Sequence, residues 1–87
     1  MNAQQPPITV YGADWCPDTR RAKRLLEEKQ VPYRWVDIDK DSEGEKFVLQ
    51  ANHGNRSIPT IVFADGTILV EPSNEQLSAK ILRTHLE

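Results

Sequence analysis

The segment from Ile8 to Ile38 constrains the fold of this chain most, because it alternates twice between the periodicities of strand and helix within a short span. Ile8-Thr9-Val10-Tyr11 is a short, β-branched, apolar run. From Arg20 to Lys29 the chain is rich in helix formers, with Ala22, Leu25 and Leu26 on one face and charged residues over the remainder. Pro32 stops that helix, and Tyr33-Arg34-Trp35-Val36-Asp37-Ile38 then alternates, setting Tyr33, Trp35 and Asp37 against Arg34, Val36 and Ile38. Two strands joined by a helix-length crossover run parallel, so the chain is predicted to be α/β. The first strand has too little alternation to face water on one side, which predicts an interior place in the sheet.

The remainder completes the order β-α-β-α-β-β-α. After the charged turn Asp39-Lys40-Asp41, Ser42-Glu43-Gly44-Glu45 has the spacing of a capping box, predicting a helix that starts at Ser42 and runs to about Asn52 with Phe47, Val48 and Ala51 inward. Asn52-His53-Gly54-Asn55 marks its end, since Asn and Gly tolerate the left-handed conformation. Thr60-Ile61-Val62-Phe63 and Thr67-Ile68-Leu69-Val70 are joined through Ala64-Asp65-Gly66, and Asp-Gly between β-rich runs predicts a hairpin. Ser73-Asn74-Glu75-Gln76 repeats the capping pattern before a last helix reaching near Leu86, with Leu77, Ile81 and Leu82 as its apolar stripe. Residues 1–7 are polar and end in two prolines, which predicts a flexible tail ahead of one domain over residues 8–87.

Bulk properties narrow the function. At 87 residues with a formal net charge of −2, the chain has no electrostatic preference for nucleic acid or an anionic membrane. No apolar run approaches the roughly 20 residues of a membrane span, and the first residues lack the basic start and apolar core of a signal peptide, so the cytoplasm is expected. One cysteine excludes an internal disulfide, and Cys16 with only His53 and His85 gives no zinc spacing. His53, alone in a glycine-containing loop, reads as a turn residue.

Cys16 falls between the first strand and the first helix. Free backbone N–H groups and the positive end of the helix dipole favour a thiolate there, and Pro17 suits the first helical position. The nearby Asp18 carboxylate opposes that effect. Thr19, three residues on, either fills volume or donates a hydroxyl to the sulfur.

Asp14-Trp15-Cys16-Pro17-Asp18-Thr19 resembles the active-site segment of glutaredoxins, in the thioredoxin superfamily, with Thr19 where dithiol members carry a second cysteine. Arg56-Ser57-Ile58-Pro59-Thr60 is similar to their Thr-Val-Pro segment, whose proline is cis and faces the thiol. Trp15-Cys16, Asn52 to Pro59, Phe63-Ala64-Asp65-Gly66 and Pro72-Ser73 resemble most the actinobacterial mycoredoxin-like group. The resemblance implies the thioredoxin fold, a central four-stranded mixed sheet flanked by three helices. It further implies a monothiol thiol-disulfide oxidoreductase of redox homeostasis, in which Cys16, with Thr19, reduces mixed disulfides between client proteins and a low-molecular-weight thiol: glutathione, mycothiol or bacillithiol. Trp15, Pro17, Ile58 and Pro59 would line the substrate, and Arg56 with the N–H groups near Ser73 and Asn74 would hold its anionic parts. No metal or tightly bound cofactor is expected, and the protein is expected to be a monomer. Two departures set it apart from glutathione-using relatives: Ala13 replaces a lysine three residues before the cysteine, and Glu71-Pro72 replaces Gly-Gly. The alternatives are an iron–sulfur cluster shared between two chains, which the Pro17-Asp18 pair disfavours, and a redox-inactive interaction module.

Overall fold

A computed structural model describes residues 8–85, with side chains through Arg83; the expected 1–7 tail and the last helix's approach to Leu86 lie outside the described residues. The elements are β1 (Ile8–Gly12), α1 (Pro17–Glu28), β2 (Arg34–Asp37), α2 (Ser42–Ala51), β3 (Thr60–Phe63), β4 (Ile68–Val70) and α3 (Asn74–His85). The strands form one sheet in the order β2-β1-β3-β4. β1 pairs parallel with β2 and antiparallel with β3, while β3 and β4 form the antiparallel hairpin. The element order is the one expected, and the four-stranded mixed sheet with three helices is the thioredoxin-like fold that the glutaredoxin resemblance implies.

Strand alternation divides the interior into two clusters. Ile8 and Val10 of β1, with Ile61 and Phe63 of β3, pack with Ala22 and Leu26 of α1, Val31, and Leu77 and Ile81 of α3. Tyr33 and Trp35 lie against this cluster, while Val36 and Ile38, from the other face of the same run, are also buried. The second cluster holds Ala13, Cys16, Ile38, Val48 and Ile58, with Tyr11 packed on it. Tyr11 also stacks on Phe47 of α2, with ring centroids 4.7 Å apart.

The local signals are met with four shifts. The α2 cap is Asp41, whose carboxylate accepts from the Gly44 N–H at 3.0 Å, one residue earlier than the Ser42–Glu45 box; Glu45 is drawn instead into an ion pair with Arg56. At the end of α2, His53 (φ 56°) and Gly54 (φ 88°) are left-handed, and Gly54 N–H bonds Leu49 C=O at 2.7 Å. Asn52 stays at φ −120° because its side chain bonds Val48 C=O and Thr60 Oγ1. Inward on α2 are Gly44 and Val48, with Phe47 only partly buried. Leu82 is 61% exposed, since it lies next to Ile81 and so turns off the buried stripe of α3.

The two remaining signals hold as expected. Ser73 and Gln76 exchange reciprocal bonds of 2.9 and 3.0 Å at the start of α3. Gly66 takes φ 90° in the hairpin, where Asp65 accepts from Thr67 N–H and from Lys80 Nζ at 2.7 Å.

Candidate active site

Cys16 is the N-cap of α1, with Pro17 as the first helical residue. Its backbone N–H bonds Ala13 C=O, and its C=O accepts from Arg20 N–H, so the loop from β1 is locked at both sides of the thiol. The residue is 9% exposed and packs with Ile58, the residue that precedes Pro59 in a cis peptide bond. The thiol loop and the proline loop are thus brought together across the carboxyl end of β1.

Each loop has its own support. Thr60 is fully buried at the start of β3, where its hydroxyl donates to Ser57 C=O at 2.7 Å and accepts from the Asn52 amide at 3.1 Å. This chain of bonds anchors the proline loop to the end of α2. Glu71, at φ 49°, donates its N–H to Pro59 C=O at 2.8 Å, tying the same loop to the connection after β4. A left-handed non-glycine residue costs roughly 1–2 kcal/mol, which accounts physically for glycine being the easier choice at this position.

By its spacing, Thr19 is either a hydroxyl donor or a volume filler. Its hydroxyl is buried and makes no hydrogen bond to the sulfur or to any other described atom. The side chain instead occupies the space above Gly12, where an added Cβ would stand 2.5 Å from Thr19 Oγ1. This geometry is that of the volume-filling alternative. Gly12 and Thr19 form a matched pair that lets α1 approach β1.

Arg21 and Arg56, on the two flanks of the thiol, are each paired with carboxylates of the chain. Arg21 donates to Asp18 at 2.7 Å, to the Asn74 side chain at 3.2 Å and to Pro72 C=O at 3.2 Å, joining the thiol helix to the start of α3. On the opposite flank, Trp15 is 62% exposed and its indole N–H donates to Asp39 Oδ2 at 2.8 Å. Arg56 donates to the other oxygen of that carboxylate and, through Nε, to Glu45 at 2.8 Å. The Arg56 hydrogen bond, then that of Trp15, holds the Asp39 carboxyl below the usual carboxylate range. Of the N–H groups at the start of α3, that of Ser73 is taken by Gln76. Ser73 and Asn74 themselves are exposed, as is Pro17. The Trp15–Asp39 bond and both Arg56 pairs join residues 11 to 24 positions apart, and no sequence pattern announces them.

The glutaredoxin family model matches residues 8–69, which span both the thiol loop and the cis-proline loop. This chain belongs to the glutaredoxin family. Mycoredoxin 1 of Corynebacterium glutamicum is 36% identical to it over 74 residues, covering 85% of this chain and 91% of that protein. A Mycobacterium tuberculosis protein that bears a glutaredoxin name is 37% identical over 76 residues, covering 87% and 90%. In fold, the chain superposes on the crystal structure of a glutaredoxin from Archaeoglobus fulgidus with a TM-score of 0.72 at 24% identity, covering 93% of this chain and 95% of the other. This glutaredoxin is accordingly a thiol-disulfide oxidoreductase of a family that draws on a low-molecular-weight thiol as co-substrate. Among its described residues, no helix is long and apolar enough to cross a membrane.

Proposed function

We propose that this glutaredoxin works by a monothiol mechanism on mixed disulfides between client proteins and an uncharged, polyol-bearing small thiol of the mycothiol type. The single observation that carries the mechanism is that Cys16 is the only cysteine of the chain, with Thr19 filling the place one helical turn on. The Cys16 thiolate attacks the small-thiol sulfur of the mixed disulfide. The bond between that sulfur and the client sulfur breaks, the client leaves as a thiolate, and Cys16 becomes disulfide-linked to the small thiol. A second small-thiol molecule, as thiolate, then attacks the small-thiol sulfur of that adduct, releasing Cys16 as thiolate and a small-thiol disulfide. Client reduction thus consumes two small-thiol equivalents, one of them from the substrate itself.

Within this mechanism Trp15 offers a flat, exposed face for a sugar ring, and Ile58 packs in the same cluster as Cys16; Pro59, expected to line the substrate, is fully buried and serves to shape the loop. Pairing of Arg21 and Arg56 with internal carboxylates supports an uncharged partner over an anionic one. Relationship to a protein named mycoredoxin points in the same direction. The protein is proposed to act as a monomer in the cytoplasm.

Mass spectrometry after mixing the protein with a mycothiolated client, with no free thiol present, tests the sequence of steps. The expected products are reduced client and Cys16 carrying one small-thiol adduct, with turnover only after free thiol is added; Cys16→Ser should yield neither. Release of reduced client without an adduct on Cys16 would overturn the mechanism.

A further inference from the structure

The contact that most alters the meaning of a site residue is the one between Arg56 and its two carboxylates. Arg56 lies two residues before Ile58, which packs against Cys16, and Trp15 immediately precedes the thiol. Asp39 bridges the two: one of its oxygens accepts from the indole and the other from the guanidinium. Glu45 accepts from Arg56 Nε on the remaining edge. Trp15, Asp39, Arg56 and Glu45 therefore form a continuous strap along one flank of the sulfur, with two carboxylates set against one guanidinium. All three charged side chains are a little over one-third exposed, so the strap is at the rim and reachable by substrate.

We propose that Asp39 and Glu45 act as specificity-determining residues by masking Arg56, so that the rim rejects thiols bearing carboxylates and accepts uncharged ones. The physical case is one of competition. A guanidinium already satisfied by two internal carboxylates gains little from a third, while an incoming carboxylate meets a patch that is net negative. Asp39 has a second part as a positioning residue, because its bond to Trp15 fixes the indole plane that a neutral, ring-bearing substrate would face. This inference rests on the mixed-disulfide reading above, and it predicts a gain of function when the mask is removed.

Non-reactive S-methylglutathione, bound to protein carrying Cys16→Ser and followed by calorimetry, separates this inference from the reaction itself. Asp39→Asn combined with Glu45→Gln keeps the shapes and removes both charges. Its affinity for S-methylglutathione should rise about tenfold, the size of one charge-assisted bond at an exposed rim, and adding Arg56→Gln should cancel the gain. In protein with Cys16 intact, the same pair should lower KM for a glutathionylated client relative to a mycothiolated one, with much less change in the ratio of kcat values. Unchanged affinity in the double variant, or a gain that persists without Arg56, would overturn the mask. Absence of activity on any mixed disulfide would instead defeat the monothiol reading and leave the binding result standing on its own.

Discussion

Among the described residues, the face of the sheet beneath α1 and α3 buries nine apolar residues in one cluster, whereas the face beneath α2 buries five, and two of those five are Cys16 and Ile58. The large cluster draws on four elements and Val31, so its side chains are fixed from several directions. On the smaller face the helix comes close because Gly44 has no side chain, and the margins are finished with polar bonds: Asp41 to Gly44, Asn52 to Thr60, and the strap from Trp15 to Glu45. Apolar burial scales with area and is indifferent to direction, so it suits the part that must hold the chain together. Hydrogen-bonded loops fix direction, which a reacting sulfur and the Ile58–Pro59 loop beside it require.

The largest test of this contrast is Leu26→Ala. Leu26 is fully buried in the large cluster, and its truncation should cost about 3–5 kcal/mol in urea unfolding, a large share of the stability of so small a domain. A loss under about 1.5 kcal/mol would mean that the large face collapses around the void and is not the main support. Next in size is Gly44→Ala on the smaller face, where an added Cβ would lie 2.6 Å from Val36 Cγ1 and 3.6 Å from the Tyr11 ring. Helix propensity alone would make this change favourable by up to ~1 kcal/mol, but the overlap should reverse the sign and cost about 1–3 kcal/mol. A second substitution, Val36→Ala, should recover part of that loss, and strict additivity of the two would refute a direct clash. Thr19→Val should have the opposite sign. Replacing a buried hydroxyl that has no partner with a methyl group of the same shape should stabilise by about 1 kcal/mol, read as a raised urea midpoint.

The two faces should also separate by pH, with the smallest effects. Tyr33 sits against the large cluster and donates to Glu27 at 2.5 Å; burial, followed by that bond, pushes its phenol above the ordinary range. Its contribution is complete below the unfolded tyrosine pKa of about 10 and is lost as pH rises through the higher folded value. Asp39, on the strap, is displaced downward, so its contribution is present above the unfolded carboxylate value near ~3.9 and is lost as pH falls through the lower folded one. Denaturation curves across pH should therefore flatten at the alkaline end in Tyr33→Phe and at the acid end in Asp39→Asn. Equal slopes in parent and variants would show that neither bond survives in solution.

Strand and helix periodicity, Pro32, the Asp65-Gly66 turn and the position of Cys16 before a helix are all local, and they determined the element order, the parallel β1–β2 pair and where the thiol sits. Patterns within a few residues suffice there, because the backbone and its near neighbours supply most of the constraint. Spacing points to Ser42 as the cap of α2 and leaves Asp41 in a turn; in the fold Asp41 caps the helix, and Glu45, the other half of the expected box, pairs with Arg56. Thr19 read equally well as donor or filler until the absence of a side chain at Gly12 gave it a space to occupy. Arg56 read as an open anion contact, and it became a paired group only once folding brought Asp39 and Glu45 beside it, 17 and 11 positions away. Which charge meets which across such separations depends on the packing of α2 against the sheet, and that packing exists only in the tertiary structure.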